Sequence, residues 1–98
     1  IQGRGAGLEP DLARLALANL YRRGGQVDKA VEAYRALATN PAASVPRDFA
    51  LVSAAQSLED AKRWAEARAA YLQLVEEFPA SVYASEARTR AEHLKSLV

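Results

Sequence analysis

Apolar residues recur at helical spacing in five segments of the chain, and most of these segments end at glycine or proline. Pro10 suits the first position of a helix, because the N–H that it lacks has no helical partner there. The first helix is therefore predicted over 10–23, before Gly24 and Gly25, with apolar positions at Leu12, Leu15, Ala16, Leu20 and Tyr21. No segment alternates with the period of a strand, so an all-α fold is expected.

Four further helices are predicted by the same pattern. Asp28 is a favourable N-cap for a second helix that runs to about Asn40, before a proline. The third is expected over 47–60 and the fourth over 64–78. Ser81 can cap a fifth helix, which has an apolar stripe at Ala84, Ala87, Ala91, Leu94 and Val98. Its other side is polar and carries Glu86, Arg90, His93 and Ser96.

The predicted helices repeat in pairs. A shift of 37 residues places the second helix on the fourth, so that Ala30 falls on Ala67 and Tyr34 falls on Tyr71. The late alanines of the first and third helices coincide under the same shift. Helix pairs that return every ~34–37 residues are typical of a stacked solenoid.

The repeated positions resemble the tetratricopeptide repeat (TPR). Its pattern has a small residue late in helix A, a large one three residues on, a small residue early in helix B, an aromatic four further on, and a proline after helix B. In this chain the first repeat reads Ala18, Tyr21, Ala30, Tyr34 and Pro41, and the second reads Ala55, Leu58, Ala67, Tyr71 and Pro79. The alanines are expected where helices cross most closely, because larger side chains would overpack the contact.

The resemblance implies a TPR α-α superhelix of five helices, with two helix-turn-helix repeats and a C-terminal capping helix. The expected boundaries are a flexible lead-in or linker at 1–8, repeat 1 at about 10–41, repeat 2 at about 46–79 and the capping helix at about 81–97. The second turn, Ala61-Lys62, has no glycine, so it is expected to close without an obvious left-handed residue. Two repeats are fewer than the usual three, which predicts either a longer array or self-association through the first helix.

Composition restricts the classes of function. The net charge of +1 argues against a nucleic acid as the main partner, because phosphate binding requires concentrated Lys and Arg. The chain has no cysteine and one histidine, His93, so no metal site of normal composition is expected. No stretch approaches the ~18–20 apolar residues of a membrane span, so direct membrane insertion is not expected. No cofactor motif and no convergent catalytic cluster is visible, and the chain is predicted not to be an enzyme.

One segment suggests a subtype. The run from Trp64 to Ala87 resembles repeats of bacterial envelope proteins, where Phe78-Pro79 and Ser81 lie in the bridge from helix B to the next helix A. These relatives include the TPR ancillary subunit of the Sec translocon, the Tol-Pal-associated periplasmic protein and the barrel-assembly lipoprotein. The resemblance implies a bacterial origin and a periplasmic or envelope-associated location, with a cytoplasmic location as the alternative.

The TPR resemblance also implies a protein or peptide partner, held on the concave face that helix A lines. The candidate partner-binding residues are Leu12, Leu15, Asn19, Arg22, Arg23, Phe49, Val52, Gln56 and Glu59. Asn19 and Gln56 are favoured because an amide on an apolar helix face needs a hydrogen-bonding partner. The apolar members have an alternative role as inter-helix core, and Glu59 and Asp60 have one as solvated charges near a helix end. For the whole segment the alternative function is a structural spacer or oligomerisation element without a ligand.

Overall fold

The computed structural model describes residues 10–98 and consists of five α-helices. They are α1 (Pro10–Arg23), α2 (Val27–Ala38), α3 (Arg47–Asp60), α4 (Trp64–Glu77) and α5 (Ala84–Lys95). Each helix packs chiefly against its neighbours in the chain, α1 on α2, α2 on α3, α3 on α4 and α4 on α5. No β-strand occurs in this part of the chain, which confirms the all-α prediction. The expected lead-in lies outside the described residues.

Small residues mark the places where the helices approach one another. Ala18 and Ala30 are fully buried and share a cluster with Tyr34 and with Ala54 of the next helix pair. Because Ala54 belongs to α3, Tyr34 connects its own helix pair with the following one. Close approach depends on the absence of side-chain bulk at the alanines, since interiors are packed at nearly crystalline density.

The central helix α3 is buried on almost every side. Eight of its 14 residues are buried, including the polar Ser53 and Ser57. The hydroxyl of Ser57 donates to the carbonyl oxygen of Ser53 at 2.8 Å, so this buried polar group has a partner within the helix. A helix that is apolar all round needs cover on several sides, and α2 and α4 provide it.

The two helix-A to helix-B turns have the same backbone structure. In the first, the N–H of Gly25 donates to the carbonyl of Arg22 and the N–H of Gln26 donates to that of Tyr21. The same two bonds recur 37 residues later, where the N–H of Lys62 donates to the carbonyl of Glu59 and that of Arg63 donates to the carbonyl of Leu58. This 6→1 and 5→2 pairing closes a helix end with one left-handed residue, which is Gly25 at φ 77° and Lys62 at φ 61°. The expectation that the second turn would lack a left-handed residue is therefore wrong, because the hydrogen-bond pattern imposes that conformation on lysine.

Exchanging residue types at this position should change stability in opposite directions in the two turns. Lys62→Gly is expected to raise the free energy of unfolding by about 0.5–1 kcal/mol, because glycine adopts the left-handed conformation without a Cβ clash. Gly25→Ala is expected to lower it by about 1 kcal/mol, although no atom lies within 4 Å of the added Cβ. Urea denaturation of both variants measures the two effects. A destabilised Lys62→Gly variant would contradict the prediction.

The connectors between helix pairs also repeat a contact. The carboxylate of Asp48, in the first turn of α3, accepts a hydrogen bond from Ser81 Oγ at 2.6 Å. One repeat earlier, Asp11 in the first turn of α1 accepts one from the backbone N–H of Ser44 at 3.0 Å. Each aspartate and each serine therefore coincides with its counterpart at the 37-residue shift, and each pair ties a connector to the start of helix A.

The structure corrects three predictions about the ends of the helices. Asp28 lies inside the first turn of α2 and is not its N-cap; its carboxylate pairs with Arg63 at 2.6 Å instead. Ser81 does not cap α5, which begins at Ala84; its hydroxyl donates to Asp48 and accepts a hydrogen bond from the backbone N–H of Tyr83, the residue before the helix. Val98 lies beyond the end of α5 and is 64% exposed, so the buried stripe ends at Leu94.

Candidate functional site

Polar side chains connect α1 with α3 along the face that helix A presents. Arg22 Nε donates to Asp60 Oδ2 at 2.9 Å, and its Nη1 donates to Gln56 Oε1 at 3.4 Å. Arg22 and Asp60 are both partly solvated, so their ion pair contributes little stability on its own. Its main effect is to orient the guanidinium between the two helices.

A second group of contacts connects α3 with α5. Glu59 accepts a hydrogen bond from the Tyr71 hydroxyl at 2.8 Å, and it is paired with Arg90 of α5. The Glu59 side chain is only 17% exposed, so its charge is shielded from water and needs both donors. Five of these side chains, together with Asn19 of α1, define what we call the helix-A face: Asn19, Arg22, Gln56, Glu59, Asp60 and Arg90.

Two tyrosines of the B helices support this face from beneath. The hydroxyl of Tyr34 donates to Asn19 Oδ1, and that of Tyr71 donates to Glu59. Burial raises the pKa of Tyr34, although the neighbouring Arg22 opposes the shift. Burial, with the negative charges of Glu86 and Asp60, raises the pKa of Tyr71 to about 12. Both phenols therefore stay protonated and remain hydrogen-bond donors at neutral pH.

The raised tyrosine pKa values predict loss of stability in alkali. An unfolded tyrosine loses its proton near pH ~10, whereas folded Tyr71 keeps it until about 12. Above pH ~10 the unfolded state thus binds fewer protons, and stability falls as pH rises through this window. Thermal melts should be recorded from about pH 9 to about pH 12, a range that brackets the pKa of unfolded tyrosine. The melting temperature should decline more steeply with pH for the native chain than for Tyr71→Phe. Equal slopes would contradict this assignment.

Two adjoining cavities open on the helix-A face near the ends of α1 and α3. One has a volume of about 260 Å³ and is lined by Arg22, Arg23, Gly25, Val27, Ser57, Asp60 and Ala61. The other has a volume of about 400 Å³ and is lined by Asn19, Arg22, Arg23 and Asp60. Both share two arginines and one aspartate, so they form one groove of mixed charge between the helices.

The structure separates the predicted partner-binding residues into three groups. Asn19, Arg22, Arg23, Gln56 and Glu59 lie on or beside the helix-A face, where the contacts and cavities are. Leu12 is 47% exposed, and Leu15 and Phe49 are half-buried and pack against the core. Val52 is 2% exposed. Its assignment as a partner-binding residue is wrong, because α3 is covered on that side and the side chain belongs to the core.

The two favoured amides, Asn19 and Gln56, do not depend on a bound protein for a hydrogen-bonding partner, contrary to the expectation from the sequence. Asn19 and Gln56 each have a partner for the side-chain oxygen inside the chain, from Tyr34 and Arg22 respectively. Their NH₂ groups have no hydrogen-bond acceptor among residues 10–98. Asn19 therefore faces the groove as an oriented donor, and Gln56 lies beside it on Arg22, each with its oxygen already fixed.

The sequence missed the ion pairs that two members of the face form between helices. Asp60 is exposed at the end of α3, as its interpretation as a solvated helix-end charge predicts, and it also pairs with Arg22 of α1. Arg90, predicted on the outer polar side of α5, is partly buried and pairs with Glu59 of α3. The spacing of opposite charges along the sequence could have predicted these ion pairs. Arg22 and Asp60 lie 38 residues apart, and Glu59 and Arg90 lie 31 apart, so opposite charges follow one another at intervals near the repeat length.

A sequence model of the tetratricopeptide repeat matches the chain twice, over residues 4–46 and 15–82. The two matches together cover more than half of the chain. The chain belongs to the tetratricopeptide repeat family. A search of curated proteins gave no match, and a search of solved structures gave none.

Membership of the TPR family gives the helix-A face its context. TPR domains are typically non-catalytic and mediate protein–protein interaction. In the described part of this TPR chain no helix is both long and apolar enough to cross a membrane. Across residues 10–98, no group of three or more acidic or histidine side chains is arranged to hold a metal ion.

Proposed function

We propose that this TPR chain is a protein-binding scaffold that holds a segment of a partner on the helix-A face. The observation that carries the proposal is the groove between α1 and α3, where Arg22 is held between Gln56 and Asp60. A preorganised set of polar groups beside an opening loses little freedom on binding, and this favours affinity. The apolar core beneath gives the groove a fixed shape.

The unused donors indicate the chemistry of the partner. Asn19 and Gln56 offer NH₂ groups, and the exposed Arg23 has no ion-pair partner within residues 10–98. An extended segment supplies backbone carbonyls that amides can bind, and an acidic side chain suits a free guanidinium. We therefore expect a peptide segment with at least one Asp or Glu.

The site can be tested by crosslinking. A photoreactive amino acid at Gln56 should capture the partner in cells that make the parent protein, and the same probe at the exposed Thr89 of α5 is the matched control. Asn19→Ala combined with Arg23→Glu should lower capture at least ~10-fold, the loss expected when a charge and an amide donor are removed. Equal capture at the two probe positions would contradict the proposal, and so would unchanged capture in the double variant.

We further propose that the partner complex belongs to a bacterial cell envelope, with a role in protein translocation, assembly or chaperoning. The support is the resemblance of the run from Trp64 to Ala87 to repeats of envelope proteins. Fractionation of source cells should recover the parent protein with the periplasm or the envelope membranes. Recovery with the cytoplasm alone would contradict this location and leave the binding site itself unaffected.

A further inference from the structure

Helix α1 exposes an apolar surface in addition to the one that it buries. Leu12, Leu17 and Leu20 are 47%, 45% and 55% exposed, with Ala13 and Ala16 between them. At roughly 100° per residue these five residues occupy a continuous arc of roughly 140° on the helix. We call this arc the α1 outer face. A solvated helix face is normally polar, so the outer face requires an explanation.

The second repeat shows what this face does when it is covered. The shift of 37 residues places the α1 outer face on Phe49, Ala50, Ser53, Ala54 and Ser57 of α3. Four of these five residues are buried and Phe49 is half-buried, because α2 packs against α3. The same positions are therefore an interhelical stacking surface in repeat 2 and are exposed to solvent in repeat 1.

The opposite end of the molecule does not offer a matching surface. The outward residues of α5 are polar: Ser85, Glu86, Arg88, Thr89, Glu92, His93 and Lys95. The inner faces of α2 and α4 are already covered by α3 and α5. The other large apolar residues that are exposed within 10–98 are scattered over α4, a connector and the C-terminal end. Head-to-tail stacking of copies would thus place leucines against a polar helix.

We propose that two copies of the chain pair through the α1 outer face, antiparallel and about a two-fold axis near Ala16. A two-fold interface needs a surface that complements itself. Leu12 and Leu20 are both four residues from Ala16, so the axis places Leu12 of one copy beside Leu20 of the other. The alanines at the centre allow the helix backbones to approach, and the leucines fill the space on either side.

The size of the contact sets its strength. Helix α1 has 14 residues and is therefore about 21 Å long. One helix pair buries less than the ~800 Å² per partner of a standard interface. We expect a dissociation constant on the order of 100 μM. The α1 outer face adjoins the helix-A face, because Asn19 and Arg23 lie along its Leu12 edge at roughly 100° per residue. Leu17 and Leu20 lie farther from that edge.

Sedimentation equilibrium from about 10 μM to 1 mM, a range that brackets this constant, measures the pairing. Leu17→Glu combined with Leu20→Glu should raise the dissociation constant at least ~10-fold, since it places charges in an apolar contact. Leu72→Glu on α4 is the matched control, because Leu72 is 42% exposed and should leave pairing unchanged. Circular dichroism melts verify that each variant is folded.

A crosslink tests the two-fold geometry. The chain has no cysteine, so Ala16→Cys introduces a single thiol at the proposed axis, and Thr89→Cys places one on α5 as a control. A short bifunctional thiol reagent should link Ala16→Cys copies at least ~10-fold faster, the advantage expected from effective concentration. Monomers throughout the concentration range, growth beyond dimers, or equal rates at the two positions would overturn the proposal and favour a different occupant, such as a further helix hairpin.

Discussion

Tyr71→Ala is expected to lower the free energy of unfolding by about 3–5 kcal/mol, the range for removing a buried aromatic ring. Tyr71 is 2% exposed and packs in the main core cluster among α3, α4 and α5. A single domain is stable by only ~5–15 kcal/mol, so a large fraction of this variant should be unfolded at about 37 °C. Urea denaturation with a common slope measures the difference.

Two further variants divide the effect into its parts. Tyr71→Phe keeps the ring but removes the hydroxyl that donates to Glu59, and it should cost about 1 kcal/mol. Leu72→Ala changes the neighbouring, 42% exposed residue and should cost less than about 1 kcal/mol. If Tyr71→Phe were as damaging as Tyr71→Ala, the hydrogen bond would outweigh the packing and our account of the core would be wrong.

Ala67→Leu is expected to be the second most damaging change, with a loss of about 1–3 kcal/mol or more. Ala67 is fully buried early in α4, at the position that matches Ala30 of the first repeat. The packed site has no space for the three added carbon atoms, so the helix pair must separate or distort. The loss of stability is measured by thermal and urea unfolding.

The same helix supplies a control for this substitution. Ala69 lies two residues further on and is exposed, and leucine is nearly as good a helix former as alanine. Ala69→Leu should therefore change stability by less than about 0.5 kcal/mol. Comparable losses at both positions would show that α4 is not packed through Ala67, contrary to the structure.

In the proposed function, the helix-A face both connects neighbouring helices and binds the partner. Arg22 and Glu59 occupy equivalent positions in the two repeats, yet one is a cation bonded to α3 and the other an anion bonded to α5. The repeat thus fixes where a side chain lies, and the residue type determines what it can bind. A partner that supplies a carboxylate can compete with Asp60 for Arg22, which would make binding sensitive to salt.

The sequence identified the fold because its signals are local and repeated. Helical spacing, a proline at Pro10 and paired alanines at one interval depend only on near neighbours, and family membership follows from the same positions. Helix ends were less certain, as Ser81 and Asp28 show. Both have the residue type of an N-cap, but α5 begins three residues after Ser81 and α2 begins one residue before Asp28. Each side chain also contacts a distant partner, Asp48 and Arg63 respectively.

Composition and spacing by themselves determined that this TPR chain is all-helical, repeats every 37 residues and places alanines where its helices cross. Only the tertiary structure decided that Val52 is core, that Asp60 and Arg90 join neighbouring helices, and that Leu12, Leu17 and Leu20 remain exposed. The physical reason is that helical periodicity specifies which residues share a face. Whether that face meets another helix or water depends on which elements stack against it, and no local pattern encodes that.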